Sequence, residues 1–185
     1  LFDKPMGLYA RGESLYMATR YQIWQLENRL AKAEFHQGCD RLYVPCQSHT
    51  TGDVNVHDVV VTQAQQILFI NTDFSCLATL QAGFNFAPIW KPPFITRLDE
   101  AAGWRDHRRN GGLVMHIPSN EIIATGLSMP HSPRWYQGKL WILNSGTGEL
   151  GYLDGGQFVP ITFCPGFVRG LAFWKNFALI GLSQL

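Results

Sequence analysis

Five polar residues of the sequence could contribute to one binding site. The pair His57-Asp58 and the residues His131 and Arg169 each precede an apolar stretch by about ten residues, and Arg134 lies close to His131. Imidazole exchanges protons near neutral pH, a carboxylate can orient it, and guanidinium attracts anions. These residue types predict a site for an anion, a sugar or a metal ion. The alternative is that the same side chains hydrogen-bond neighbouring strands, because buried polar groups need partners.

A divalent cation is the cofactor that the oxygen-bearing residues could hold. Asp58, Asn71 and Asn144 are the candidate ligands, and Asp53 is also available. A cation bound there could polarise a carbonyl group or activate water, which would suit a lactonase or another hydrolase of sugar-like substrates. The set is poor in carboxylates, because Glu149 follows a turn and is expected to point outward.

The cysteines predict free thiols. His36 and Cys39 share the spacing of Cys46 and His49, and two such pairs could bind zinc. The pairs would have to fold back across a strand about 13 Å long, however. The sequence has four cysteines, Cys39, Cys46, Cys76 and Cys164, and no Cys-x-x-Cys pair. Reduced thiols in a cytoplasmic protein are therefore expected.

Repeated strand patterns would position the polar residues. Residues 66–72 resemble residues 139–145, so that Asn71 falls on Asn144, and residues 177–181 give another copy of the strand. Shorter segments that begin at His57, His131 and Arg169 precede these strands, and turns rich in glycine follow them. This order predicts an all-β fold, a β-propeller or an incomplete arc of blades, each blade an antiparallel four-stranded sheet. The inner strands of a propeller end at a central funnel, where the polar residues could meet.

Other segments predict loops. Residues 87–93 contain Pro88, Pro92 and Pro93, which are unsuited to a strand interior. The helical pattern of residues 26–35 is too weak to predict a helix. Residues 99–110 are expected to be poorly structured, and the cluster of Arg105, Arg108 and Arg109 in them is interpreted as a solvated loop.

Composition excludes several classes of partner. The net charge of +1 gives no broad attraction for nucleic acid or acidic membranes. No apolar run reaches the roughly 18–20 residues of a membrane span, and no signal peptide is visible. A cytoplasmic location is predicted. Because the 185 residues begin at Leu1, we expect a single propeller-like domain over residues 1–185 that is part of a longer chain.

Three stretches of the sequence resemble a known family. They are residues 48–58, residues 71–80 with 90–95, and residues 126–150 with 166–183. Together they resemble an uncharacterised, mostly bacterial family of conserved hypothetical proteins, a domain of unknown function with propeller-like sequence. The resemblance implies a β-propeller and no established activity. The family pattern has a further inner strand with a His-containing motif before Gly103, which predicts a gap or deletion near residues 98–104 here.

The sequence leaves three functions open. The first is a recognition module that binds a small polar ligand or a partner segment at the funnel, with His57, Asp58, His131, Arg134 and Arg169 as contacts. The second is the metal-dependent hydrolase, with Asp58, Asn71 and Asn144 as ligands. The third is a structural scaffold that docks on another protein through an open strand edge.

Overall fold

The computed structural model of the chain describes residues 2–94 and 104–183, with only the backbone of Trp104 and Arg105. The described part is all-β, apart from a short 3₁₀-helix at Trp104–His107. The predicted gap near residues 98–104 lies outside the described residues, except for the backbone of Trp104. The chain divides into two compact units, Leu1–Ala102 and Gly103–Leu185.

The first unit contains two four-stranded antiparallel sheets. One sheet has the order β1-β2-β3-β4 and the other the order β5-β6-β7-β8, so each strand pairs with its neighbours in sequence. The strands are β1 (Gly7–Arg11), β2 (Ser14–Ala18), β3 (Gln22–Asn28), β4 (Tyr43–Thr50), β5 (Val59–Val61), β6 (Ile67–Asn71), β7 (Cys76–Gln81) and β8 (Phe84–Trp90). Pairing between sequence neighbours builds each sheet as a meander.

The second unit repeats the same plan. A four-stranded sheet of order β11-β12-β13-β14 lies in sequence between a pair β9-β10 and a pair β15-β16. The strands are β9 (Gly112–His116), β10 (Glu121–Leu127), β11 (Pro130–Tyr136), β12 (Lys139–Asn144), β13 (Glu149–Asp154), β14 (Gln157–Phe163), β15 (Phe167–Trp174) and β16 (Phe177–Ser183). All of these pairings are antiparallel.

Each unit has an apolar core between its sheets. In the first unit the core includes Val56 and Phe69, which are almost completely buried. In the second unit Leu143 of β12 and Val168 of β15 are completely buried and pack in one cluster. Alternation along the strands places these side chains inward. The inner strands β11 and β15 are thereby fixed next to each other.

The prediction that residues 87–93 form a loop is wrong for residues 87–90, because β8 runs through Pro88 to Trp90, and it is confirmed for residues 91–93, which lie outside the strands. Pro88 lies in the outer strand of its sheet, opposite Ala78 and next to a register shift. Pro45 in β4 and Pro160 in β14 have the same placement. An edge strand tolerates proline because the missing N–H is not needed for the ladder. Residues 26–28 belong to β3, which agrees with the interpretation that the helical pattern of residues 26–35 is too weak to predict a helix.

The prediction that no segment spans a membrane agrees with the described residues. No helix within residues 2–94 and 104–183 combines the length and apolar character that crossing a bilayer requires.

Candidate functional site

Matching positions of two adjacent inner strands carry His131 and Arg169. His131 of β11 pairs with Leu143, and Arg169 of β15 pairs with Gly181. A register shift follows each of them. The next residues, Ser132 and Gly170, both have left-handed backbones, with φ of 53° and 69°. A bulge changes the direction of neighbouring side chains. The same irregularity therefore orients the side chains near His131 in β11 and near Arg169 in β15.

A cleft of about 620 Å³ lies in the second unit beside these strands. Its walls come from the 128–130 connection, the turn between β12 and β13, and the ends of β14, β15 and β16. The lining residues are Arg108, Met129, Ser145, Gly146, Thr147, Gly148, Phe163, Gly166, Phe167, Arg169 and Ser183. Two of these side chains are cationic and none is acidic. The cleft therefore has a positive lining and suits an anionic group.

Phe167 joins the two bulge residues at the cleft. The ring of His131 meets the ring of Phe167 edge-on, with centroids 5.5 Å apart. The guanidinium carbon of Arg169 lies over the same ring, 5.0 Å from its centroid. His131 Nδ1 is 2.8 Å from the carbonyl oxygen of Met129, so the tautomer protonated at Nδ1 donates there. The structure thus brings His131 and Arg169 together around one aromatic ring.

Arg169 is the electrostatic centre of the cleft. Its side chain is about half-buried, and burial lowers its pKa without removing the charge at neutral pH. Its Nε is buried and has no hydrogen-bond partner among the described residues. A partly desolvated guanidinium whose Nε donor has no partner among the described residues is less favourable than a fully paired one. The part of the Arg169 guanidinium that lines the cleft can pair with an anionic partner that enters it.

The turn between β12 and β13 forms one wall of the cleft. Ser145 is 2% exposed, and its Oγ donates to the carbonyl oxygen of Val168 over 2.5 Å. Gly148 has φ of +71°, and a Cβ at this position would lie 2.9 Å from the carbonyl oxygen of Cys164. Both the backbone angle and the close approach require glycine here.

A chain of hydrogen bonds anchors the segment that contributes Arg108. The Asn110 amide donates to Ser128 Oγ over 3.1 Å, and the Ser128 amide donates to Asn144 Oδ1 over 2.7 Å. The Arg108 segment is therefore attached to the turn that forms the cleft wall. Arg108 itself is exposed.

The other predicted contacts lie elsewhere. Arg134 is not a lining residue: its Nε donates to the carbonyl oxygen of Leu171 over 3.1 Å, which ties β11 to β15. His57 and Asp58 belong to the first unit, where Asp58 Oδ1 accepts the Val59 amide over 2.9 Å. Convergence of this pair with His131 and Arg169 stays a prediction.

The predicted metal ligands already have partners. Asn71 Oδ1 accepts the Phe74 amide over 3.0 Å, and Asn144 Oδ1 accepts the Ser128 amide. Asp53 forms a two-pronged ion pair with Arg20, whose hydrogen bond lowers the pKa of that carboxyl. No group of three or more His, Cys, Asp or Glu side chains within the described ranges is placed to hold a metal.

The cysteine positions agree with the expectation of free thiols. All four cysteines are free, and Cys39 and Cys46 are exposed. The side chains of Cys46 and His49 contact Arg29 and Gln47 respectively.

Sequence reasoning missed Arg108 and the cleft wall. A signal was present in the aligned repeats. Where one copy has Asp73-Phe74-Ser75, the other has Gly146-Thr147-Gly148. A large side chain is replaced by small ones at a matching turn, which indicates open space there.

The sequence matches one described family. Residues 1–101 and residues 97–185 match the family described as Domain of unknown function (DUF4915), so the chain belongs to this family. The resemblance to an uncharacterised family is thereby confirmed. The two matches meet at residues 97–101, close to the predicted gap. No curated protein matches the chain.

Solved structures show the fold. Virginiamycin B lyase from Staphylococcus aureus, in selenomethionine-substituted form, is similar over 96% of this chain and 62% of its own, with 9% identity and a TM-score of 0.54. A catalytically inactive variant of that lyase with quinupristin covers 90% of this chain and 44% of its own, with 8% identity and a TM-score of 0.37. The chain thus spans less than two thirds of the lyase. At such identity the likeness shows the β-propeller fold alone, which confirms the predicted fold class.

Proposed function

We propose that the protein is a recognition module of the propeller type whose cleft binds a small polar ligand with an anionic group. The observation that carries this proposal is Arg169: a half-buried guanidinium, with no hydrogen-bond partner for its Nε in the described part of the chain, in a cleft that has no acidic side chain among its lining residues.

The gain on binding comes from the guanidinium. A charge-assisted hydrogen bond between arginine and an anion is about twice as strong as a neutral one. Part of the desolvation of Arg169 has already occurred on folding, so the ligand bears only the remaining part of that cost. Arg108, at the same cleft, adds attraction that is screened by salt because the residue is exposed.

His131 contributes position more than charge in this proposal. Its Nδ1–H is used by Met129, and its ring supports Phe167 from the edge. The supported ring in turn lies under the Arg169 guanidinium. His131 is thus a positioning residue for Arg169, and the bulges after both residues keep the arrangement in register.

Titration of the full chain with sodium acetate and with inorganic phosphate tests the proposal. Binding would be followed by ¹H–¹⁵N NMR at constant ionic strength, for the wild type, Arg169→Gln and Arg109→Gln. Arg109 gives a matched control, because it is next to Arg108 and does not line the cleft. We expect Arg169→Gln to weaken anion binding by about tenfold or more, as loss of a charge-assisted hydrogen bond does. Arg109→Gln should leave the affinity unchanged.

Two results would overturn the proposal. Equal weakening by both substitutions would mean that the anions respond only to net charge. Loss of binding on addition of EDTA would favour the metal-dependent hydrolase, whose predicted ligands are Asp58, Asn71 and Asn144.

A further inference from the structure

The cleft combines a cationic part with an apolar part. Besides Arg108 and Arg169, its walls include Met129, Phe163 and Phe167. Phe163 is 67% exposed although it lies at the end of β14, beside the turn that forms the cleft wall. Because Phe163 lines the cleft, its exposed ring offers apolar surface that a bound ligand could cover.

We propose that the ligand is a carboxylate attached to an apolar body, such as an arene or a short acyl chain. This inference rests on the proposed function and specifies its ligand. The carboxylate pairs with the Arg169 guanidinium, and the apolar body covers Phe163 and Met129. A cleft of about 620 Å³ has room for both parts, since a carboxylate alone would leave most of it to water.

The backbone of the cleft wall argues against phosphate as the anionic group. Phosphate sites commonly use a series of free backbone N–H groups. Here the amides of Gly146, Thr147 and Gly148 already donate to carbonyl oxygens, over 2.8, 3.1 and 3.3 Å. The planar fork of a guanidinium binds either anion, and it matches the two oxygens of a carboxylate without help from backbone N–H groups.

The hydroxyl groups of the turn support the same choice. Ser145 Oγ donates to Val168, and Thr147 Oγ1 lies 2.6 Å from Glu149 Oε2. Their hydrogens are therefore used by partners within the protein. The attraction for the anion therefore comes from the side chains of Arg108 and Arg169, and these two positive charges can balance the single negative charge of a carboxylate.

A ligand series on the wild-type chain tests the inference without any substitution. The probes are phenylacetate, acetate, phenylacetamide and phenyl phosphate, with affinities measured by NMR titration at constant ionic strength. We expect phenylacetate to bind about tenfold more tightly than acetate, because the ring buries apolar surface. Phenylacetate should also bind about tenfold more tightly than phenylacetamide, which lacks the charge, and more tightly than phenyl phosphate.

Two substitutions on one strand locate the apolar contact. Phe163→Thr should weaken phenylacetate binding several-fold and leave acetate unchanged. Ile161→Thr is the matched control, because Ile161 is an exposed residue of the same strand and does not line the cleft. It should change neither affinity. Circular dichroism and thermal melting would confirm that both variants fold.

The outcomes separate this inference from the function on which it rests. If acetate binds in a manner that depends on Arg169 but phenylacetate binds no more tightly, the apolar body is excluded and anion recognition stands. Tighter binding of phenyl phosphate than of phenylacetate would exclude selection of a carboxylate. If no anion binds, both proposals fail.

Discussion

Two turns at matching places in the two units differ in whether they leave a cleft. Residues 71–76 contain the turn between β6 and β7, and residues 144–149 contain the turn between β12 and β13. In both, an amide reaches back three residues over 3.3 Å, from Ser75 to Thr72 and from Gly148 to Ser145. Ser75 and Gly148 share the left-handed backbone, with φ of 50° and 71°. The backbone device is therefore the same in both units.

The side chains make the difference. Phe74 of the first turn packs against the core and meets Phe86 edge-on, with centroids 5.3 Å apart. Thr147 takes the matching place in the second turn and is exposed. One turn is thus closed by an aromatic side chain, while glycine and threonine leave space for a ligand at the other.

The largest expected effect is on the glycine of the open turn. Gly148→Ala should lower the free energy of unfolding by about 3 kcal/mol, from left-handed strain and from the contact of its Cβ with the Cys164 carbonyl. Ser75→Ala, at the matching place, should lower it by about 1 kcal/mol or less, because serine already bears a Cβ and the substitution removes at most a hydrogen bond. Urea denaturation of both variants measures the difference. Equal losses would contradict the role given to Gly148.

Substitution of Asn71 and of Asn144 by alanine should lower the free energy of unfolding by different amounts. Asn144→Ala removes the acceptor of a buried amide and should cost about 2 kcal/mol. Asn71→Ala should cost about 1 kcal/mol, because it also removes a buried Nδ2 that has no partner in the described part of the chain. Chemical denaturation gives both values. If Asn71→Ala lowered the free energy of unfolding more than Asn144→Ala, the first turn would depend more on its asparagine than the second turn does.

Substitution of two arginines of the second unit should distinguish a residue that stabilises the fold from one that binds the ligand. Arg134→Gln removes the hydrogen bond to Leu171 and should destabilise the chain by about 1 kcal/mol. Arg169→Gln should leave stability unchanged or slightly raised, because it relieves a buried donor without a partner in the described chain. Thermal melting measures both. Strong destabilisation by Arg169→Gln would identify that residue as structural.

The smallest effect concerns two thiols, one in each unit. Cys76 ends the closed turn and is buried, and burial raises the pKa of its thiol. Cys164 is half-buried beside the open turn. Iodoacetamide should modify Cys164 several-fold faster than Cys76 at pH 8, as followed by peptide mass spectrometry.

The pH dependence of the Cys76 thiol has a defined sign. Because its pKa is higher in the folded state, its contribution to stability is complete below the unfolded value of about 8.5. The contribution is lost as the pH rises through the pKa of the folded state.

In the iodoacetamide experiment, faster modification of Cys76 than of Cys164 would contradict the burial of Cys76 and would indicate that the first turn opens.

Much of the strand order could be predicted from the sequence. The repeat that aligned Asn71 with Asn144 placed both at the ends of equivalent strands, and the segment at Arg169 lies in an inner strand, as predicted. Strand periodicity and turn residues carry this information locally. The segment at His57 was extended too far, because β5 begins at Val59.

Features that depend on tertiary context could not be predicted. The sequence predicts a loop at Pro88, because it does not indicate which strand will lie at the edge of a sheet and so tolerate proline. Arg134 and Arg169 looked alike in the sequence, yet one donates to a neighbouring strand and the other lines a cleft. Arg108 reaches the site through hydrogen bonds of Asn110 and Ser128, which are distant in sequence.

The measurement that tests the central claim most directly is a ¹H–¹⁵N NMR map of the full chain titrated with phenylacetate. We expect shifts confined to residues 145–148, residues 167–170 and the Nε–H of Arg169, with none in residues 71–76. Shifts centred on the closed turn or on His57 and Asp58, or no shifts at all, would contradict the claim that the open turn of the second unit forms the binding site.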